Sequence, residues 1–134
     1  MKAEDLRIGN LVDIAKSVKG KTKKKYFKVA VIESNPLRIA ILKRHPVWLY
    51  FFEDEILPIP LTPDWLHKLG AVKELGSVLY SYGRFVLHWK EKYNYWYVTD
   101  KQGNYMTKVE FVHEWQNFVY VMDGNELTIK EESK

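Results

Sequence analysis

Short stretches in which apolar and polar residues alternate make up the N-terminal half of the chain. Residues 11–14, 26–32, 38–42 and 47–52 are rich in Val, Ile, Leu and aromatic side chains, which favour β-strands. Turn-forming pairs that contain Gly, Asn or Pro precede or separate most of these stretches. This spacing predicts a small antiparallel SH3-like barrel or curled sheet in the N-terminal half.

The stretch PIPLTPDWLHKLG, residues 58–70, changes the pattern from strand to helix. Its first two prolines cannot donate ladder hydrogen bonds, so the stretch begins as an extended connector. Thr62 is a favourable N-cap, Pro63 suits the first helical position, and Gly70 fits a left-handed C-cap. We therefore predict a short helix whose buried side chains are Trp65, Leu66 and Leu69.

The second half of the chain returns to strand patterns before a final helix. Residues 77–82, 85–90 and 93–99 are rich in aromatic and β-branched residues and are separated by short turns. Residues 110–122 carry apolar side chains at helical spacing and end at Gly124. We therefore predict three strands followed by a helix.

These elements together predict the α+β class. Residues 1–57 form a β-rich SH3-like subdomain in this interpretation, and residues 58–134 form a helix–three strands–helix subdomain packed with it as one compact unit. Residues 127–129 have the composition of one further strand.

Three blocks of the sequence resemble small proteins of Bacteroidetes bacteria and their phages. The blocks are LRIGN at 6–10, PIPLT with WL and LG at 58–70, and HEWQN with GNELTIK at 113–130. The resemblance spans most of the chain, and the block at 58–70 is its most specific part. It implies a bacterial or phage accessory protein, and it transfers no site residue to this chain.

The composition excludes several classes of site. The chain has 134 residues and no cysteine, which excludes disulfides, thiolate catalysis and cysteine-bound metals. No stretch approaches the ~20 apolar residues that a membrane-spanning helix needs, and the N-terminus lacks the apolar run of a secretory signal. We therefore expect a cytoplasmic protein that does not interact with membranes.

The positive charge is concentrated in one segment. Residues 16–28 contain seven lysines and no acidic residue, and because this segment contributes +7 to a net charge of +4, the remaining residues sum to −3. Its first part, AKSVKGKT at 15–22, resembles a relaxed phosphate-binding loop. A phosphate loop must lead into a helix, whereas KKKYFKVAVI follows here and has the pattern of a strand. A nucleotide site is therefore not predicted.

A nucleic-acid contact by this segment remains an alternative to a solvated loop. Lysines neutralise phosphates, and an aromatic residue directly after the loop could stack on a base. The candidate nucleic-acid-binding residues are Lys19, Lys21, Lys23, Lys24, Lys25 and Tyr26.

Motifs for catalysis or metal binding are incomplete. HEWQN at 113–117 begins like a zinc-protease helix, but Asn117 occupies the position of the second histidine. The acidic run at 53–55 points to alternate faces if it is a strand and is solvated if it is a loop. We therefore predict no catalytic residue, no metal site and no cofactor.

The strongest binding signal is aromatic. In the segment YNYWYV at 93–98, alternation places the three tyrosines on one face of a strand and Trp96 and Val98 on the other. If one face packs on the helices, the other exposes an aromatic strip, unless both faces are covered. The leading hypothesis is a non-enzymatic binding or adaptor module that contacts a partner protein; the alternative is nucleic-acid binding through the loop at 16–28. The candidate partner-binding residues are Trp89, Tyr93, Tyr95 and Tyr97.

Overall fold

The structure is a computed structural model that describes residues 5–15, 26–34, 37–44 and 47–129. Within these ranges it belongs to the α+β class, as the sequence predicts, with two five-stranded antiparallel sheets and two α-helices. No helix in the described part of the chain is long and apolar enough to cross a membrane.

Contacts divide the chain into two compact units. The first contains residues 1–59 and 112–117, and the second contains residues 60–111 and 118–134. The last helix therefore contributes its first residues to one unit and its later residues to the other, whereas the sequence pattern assigns all of it to the second half.

The first unit is a curled, half-barrel sheet with the order β4-β3-β2-β1-β5. The predicted strand positions are confirmed, with small shifts at their ends. A bulge in the pairing of the second and third strands, between Val29 and Val31, adds local twist. A three-residue 3-10 turn, Glu53–Glu55, separates the last two strands. The strands are β1 (Leu11–Ile14), β2 (Phe27–Ser34), β3 (Leu37–Arg44), β4 (Val47–Phe52) and β5 (Ile56–Leu57).

The concave side of this sheet is filled by apolar side chains. They alternate along the strands, so each strand sends every second residue into the core. Ile32, Leu49 and Phe51 are partly buried and pack against it. The buried cluster consists of Leu6, Val12, Ile14, Phe27, Val29, Ile39, Ile41 and Ile56.

Buried amide side chains connect the N-terminal turn to the start of the last helix, α2 (Val112–Asp123). Gln116 accepts a hydrogen bond from the Leu11 amide at 2.8 Å and donates to the Gly9 carbonyl at 3.2 Å. Asn10 donates to the side chain of Asn117 at 2.7 Å, and Asn117 donates to the backbone of residue 5. The LRIGN and HEWQN blocks thus meet in one polar network, in which Asn117 also satisfies a backbone carbonyl.

The second unit contains a sheet with the order β10-β9-β8-β7-β6 and the short helix α1 (Pro63–Lys68). Five strands follow α1, rather than the three that the sequence pattern predicts. The strands β6 and β10 are the two that were not predicted. The first has only two residues, and the second lies in a stretch in which polar and apolar residues are mixed. The strands are β6 (Val72–Lys73), β7 (Tyr80–Tyr82), β8 (Phe85–Lys90), β9 (Tyr95–Asp100) and β10 (Tyr105–Val109).

The caps of α1 are those that the sequence predicts. The Thr62 hydroxyl accepts a hydrogen bond from the Trp65 amide at 3.3 Å, and Pro63 occupies the first helical position. Gly70 has a φ of 95°, which a side chain would strain. Trp65, Leu66 and Leu69 are buried.

The C-terminal stretch differs from the prediction. Leu127 and Ile129 are buried, but no strand is present at 127–129 in the part of the chain that the structure describes. The two side chains are therefore buried at alternate positions, as in a strand, although the backbone does not pair with a neighbouring strand of the described chain.

Candidate binding surfaces of the second sheet

The register between β8 and β9 assigns each aromatic residue to a face. Trp89 lies opposite Trp96, and His88 lies opposite Tyr97. Since directly opposed residues project to the same side of a sheet, Trp89 shares a face with Trp96, and His88 shares the other face with Tyr97.

The face of Trp96 is the inner face, which packs on other elements of the second unit. The Phe85 ring meets the Phe118 ring of α2 edge-on, with centroids 5.1 Å apart. The indole nitrogen of Trp96 donates to the Leu61 carbonyl at 2.7 Å, and the Leu61 amide donates to the Glu110 carbonyl at 2.9 Å. Both backbone groups of Leu61 are therefore fixed, which holds the connector before α1 against the sheet.

At one end of the inner face the packing is incomplete and leaves a groove of about 460 Å³, the Trp89 groove. Trp96 forms its floor, with Trp89 tilted against it at 5.1 Å and Tyr80 edge-on at 5.7 Å between ring centroids. Trp89 remains 42% exposed, although its partner Trp96 is buried. The lining residues are Leu61, Thr62, Pro63, Lys73, Val78, Tyr80, Trp89 and Trp96.

Three residues that line the Trp89 groove carry a hydrogen-bond donor in the side chain. They are Lys73 with its ammonium group, Tyr80 with its hydroxyl and Trp89 with its indole N–H. None of these three groups bonds to another residue in the part of the chain that the structure describes. The described lining contains no carboxylate, so the groove is apolar with a positive rim.

The loop between β6 and β7 extends the apolar surface beside this groove. Val78 lines the groove and is 76% exposed, and Leu75 is fully exposed. Exposed aliphatic side chains that continue an aromatic groove are typical of a binding surface.

The opposite face of the sheet is the tyrosine face, formed by Tyr95, Tyr97, His88, Lys90 and Lys108 together with Tyr93 and Lys92 of the turn between β8 and β9. The turn is a 3-10 helix, Glu91–Tyr93. The rings of the tyrosine face are arranged in two stacks. The Tyr93 and Tyr95 rings lie 5.7 Å apart at 18°, and the His88 and Tyr97 rings lie 4.3 Å apart at 9°.

A lysine ammonium lies over each tyrosine ring of this face. The distances to the ring centroids are 5.2 Å for Lys90 and Tyr97, 5.5 Å for Lys92 and Tyr93, and 5.3 Å for Lys108 and Tyr95. All three lysines are exposed, whereas Tyr95 and Tyr97 are half-buried. The face therefore combines planar rings with accessible positive charge.

His88 is held in a fixed orientation on the tyrosine face. One of its ring nitrogens lies 2.9 Å from the Thr99 hydroxyl, and its ring stacks on Tyr97. Burial lowers the pKa of His88, an effect that the negative charge of Glu74 opposes and the positive charge of Lys90 reinforces.

The structure separates the four residues predicted to bind a partner. Tyr93, Tyr95 and Tyr97 lie together on the tyrosine face, while Trp89 lies on the opposite side and lines its own groove. The half-buried Tyr26 precedes β2, and the candidates Lys19, Lys21, Lys23, Lys24 and Lys25 lie outside the described residues.

The structure describes residues from both the incomplete metal motif and the acidic run. His113 is buried in α2, and burial lowers its pKa. Glu55 accepts a hydrogen bond from the Phe52 amide at 2.9 Å. Among the described residues, no three His, Asp or Glu side chains are grouped closely enough to hold a metal ion.

Sequence reasoning missed the residues that give each surface its chemistry. Tyr80, Lys73 and Val78 reach the groove only through strand pairing and the β6–β7 loop. Lys90 and Lys108 join the tyrosines because β8 and β10 both pair with β9. A strand-pairing prediction, rather than a motif, would have been the signal for both sets.

Neither the family models, nor the curated proteins, nor the solved structures contain a match to this chain.

Proposed function

We propose that this chain is a non-enzymatic binding module that holds an extended, proline-rich segment of a partner protein in the Trp89 groove. The observation that carries the proposal is a groove whose walls are aromatic and whose unpaired polar groups are donors. A module of this kind agrees with the bacterial or phage accessory role that the sequence resemblance implies.

The dimensions and walls of the groove suit a short peptide segment. Its volume of about 460 Å³ lies within the range of roughly 300–1,000 Å³ that ligand pockets occupy. Aromatic side chains with ridges and gaps between them accept proline rings, because a polyproline II segment is preformed and loses little entropy on binding. The tilted pair of Trp89 and Trp96, with Tyr80 beside it, provides such ridges.

Hydrogen-bonding capacity distinguishes this ligand from an ordinary peptide. Proline has no N–H, so a proline-rich segment offers carbonyl acceptors and few donors. The Lys73 ammonium and the Trp89 indole N–H are donors that can meet those carbonyls. The positive rim at Lys73 further favours a segment that carries an acidic residue and disfavours a basic one.

We also propose that the first unit is an SH3-like barrel. Support comes from its five antiparallel strands, from the 3-10 turn before the fifth strand, and from the pairing of β1 with both β2 and β5. A cytoplasmic location, and nucleic-acid binding through the lysine-rich segment 16–28, stay predictions from the sequence.

A peptide titration tests the proposed function. The probe is a fluorescein-labelled oligoproline peptide that ends in aspartate, with a glycine–serine peptide of equal length and charge as the reference. We expect saturable binding of the oligoproline peptide, observed as fluorescence anisotropy, and a loss of about tenfold in affinity for Trp89→Ala, as for a central aromatic contact. Lys73→Ala weakens binding less, since its charge lies at an exposed rim.

Tyr105→Ala is the matched control, because Tyr105 is an aromatic residue that is 65% exposed and lies outside the groove. Equal binding of the two peptides, or unchanged oligoproline binding in Trp89→Ala, contradicts the proposal. Far-ultraviolet circular dichroism of each variant verifies that the fold is retained.

A further inference from the structure

The tyrosine face presents flat rings at a regular interval along β9. Residues two positions apart in a strand are separated by about 6.6 Å, so Tyr95 and Tyr97 stand side by side on one face. Tyr93 continues the row from the turn by stacking on Tyr95, and it is 57% exposed. Tyr93 ends the row, and another flat ring can stack on it where the exposed Lys92 side chain moves aside.

Positive charge flanks this row on both sides. Lys90 projects from β8 and Lys108 from β10, while Lys92 lies at the turn beside Tyr93. Two acidic residues also belong to this region: Glu91 lies in the same turn, and the charge of Glu74 acts on His88. Three exposed ammonium groups and two carboxylates leave the row with a positive balance.

A ligand that matches this surface must have planar rings along its length and negative charge at its sides. A single-stranded nucleic acid has this pattern, because its bases are free to stack and its phosphates follow at each nucleotide. A duplex does not fit, since its bases are already stacked and a flat sheet face cannot enter its grooves. An acidic peptide would engage the lysines without using the rings.

The existing cation–π contacts do not compete strongly with such a ligand. Each exposed contact is weak, because the lysine is accessible to water. A lysine that moves from a ring to a phosphate keeps its position at the edge of the row, and the uncovered ring can then stack on a base, which is the stronger contact.

From these observations we infer that the tyrosine face binds single-stranded nucleic acid, with Tyr93 and its neighbours stacking on bases and Lys90, Lys92 and Lys108 contacting phosphates. This site lies on the opposite side of the sheet from the Trp89 groove and does not depend on the proposed peptide function.

Anisotropy titrations over a series of salt concentrations test this inference. The probes are fluorescein-labelled oligouridylate, the same oligouridylate annealed to oligoadenylate, and a labelled polyglutamate peptide. We expect the single strand to bind more tightly than the duplex, with an affinity that falls as salt rises. In the variant Lys90→Ala/Lys92→Ala/Lys108→Ala, the slope of log affinity against log salt becomes shallower by about 2, or ~0.7 for each lost phosphate contact.

A matched triple variant separates a specific site from general charge attraction. Lys68→Ala/Lys73→Ala/Lys101→Ala removes the same number of charges from described positions outside the tyrosine face and leaves the slope unchanged.

Tyr93→Leu tests stacking separately: it weakens oligouridylate binding several-fold at constant slope, since no charge is lost. Oligoproline binding is unaffected by either the Lys90 triple variant or Tyr93→Leu, so the two proposals fail independently.

Four results would overturn the inference. The first is the absence of oligouridylate binding at low salt, and the second is an equal effect of the two triple variants. The third is polyglutamate binding as tight as that of the oligonucleotide. The fourth is loss of oligouridylate binding in Lys23→Ala/Lys24→Ala/Lys25→Ala but not in Lys90→Ala/Lys92→Ala/Lys108→Ala. The third result indicates an acidic protein partner, and the fourth assigns binding to the lysine-rich segment 16–28.

Discussion

The two faces of the second sheet are built from alternate residues of the same strands, yet they differ in almost every property. On the inner face Phe85, Leu87 and Val98 are fully buried, and even Trp96 has its one polar atom bonded. On the tyrosine face His88 and Tyr97 are only half-buried, and Lys108 is exposed. Val86 and Thr99 share the face of His88 and Tyr97 and are buried, so the display of side chains is confined to the part of this face near the turn Glu91–Tyr93.

The kind of aromatic residue follows this division. Phe and Trp dominate the inner face, where ring area excludes water, whereas Tyr dominates the outer face, where its hydroxyl remains hydrated. Trp89 is the exception, because it belongs to the inner face but lies at the end of β8 and is 42% exposed in the groove. An aromatic residue that is exposed at the edge of the packed region lines a groove and does not belong to the core.

The largest expected difference between the faces is in stability. Trp96→Ala should lower the free energy of unfolding by about 3–5 kcal/mol, because it empties a buried site and leaves the Leu61 carbonyl without its donor. Tyr97→Ala, the adjacent residue on the other face, should cost about 1 kcal/mol. Urea unfolding of the two variants measures the contrast, and equal losses would mean that the tyrosine face is also part of a core.

The cap of α1 has a smaller effect, which links stability to the groove. Thr62→Ala should lower the free energy of unfolding by about 1 kcal/mol, because the Trp65 amide loses its acceptor. Since Thr62 and Pro63 line the Trp89 groove, oligoproline affinity should fall as well. Thr62→Ser retains the hydroxyl and is the control; if it loses as much stability as Thr62→Ala, the hydrogen bond is not the cause.

Acidification should destabilise the protein through its buried histidines. The pKa of His113 and that of His88 are lowered by burial, so between the lowered pKa and about 6.5 the unfolded chain binds more protons than the folded chain. The free energy of unfolding should therefore decrease as pH falls through this window. Urea unfolding at about pH 7.5 and about pH 5.5 measures the decrease, well above the range in which carboxylates titrate.

His113→Gln should remove more of this decrease than His88→Gln, because His113 is the more deeply buried. A free energy of unfolding that rises on acidification would mean that one of these histidines is stabilised in its charged form.

The smallest expected effect concerns the lysines of the tyrosine face. Lys90→Ala should lower the free energy of unfolding by at most about 0.5–1 kcal/mol, since its contact with the Tyr97 ring is exposed. Lys101→Ala, in an exposed turn, provides the reference in the same urea experiment. A loss of more than about 1 kcal/mol would indicate that Lys90 is retained for stability and not for binding.

Local signals in the sequence predicted those parts of the fold that depend on neighbouring residues. The helix α1 was specified by Thr62, Pro63 and Gly70, each of which has a conformational reason for its position. The opposite orientations of Tyr97 and Trp96 followed from strand alternation, and the strands at 85–90 and 47–52 were found at their observed limits.

Features that depend on pairing between distant residues were not predictable in the same way. The turn Glu91–Tyr93, followed by Asn94 in the left-handed region at φ 54°, sets the register that separates Trp89 from the tyrosines. The groove requires Leu61 to be fixed against Trp96, a contact across 35 positions of sequence. Strands as short as Val72–Lys73 have too few residues to show a period.

A single spectrum tests whether the two faces are separate binding sites. In a proton–nitrogen correlation spectrum of the labelled protein, the Trp89 indole N–H signal, assigned by its loss in Trp89→Phe, is followed during titration with oligoproline and then with oligouridylate. We expect this signal to shift with the peptide and to stay in place with the oligonucleotide, which should instead shift the backbone amides of Lys90, Tyr95 and Lys108. A Trp89 signal that moves with the oligonucleotide, or that ignores the peptide, would contradict the account.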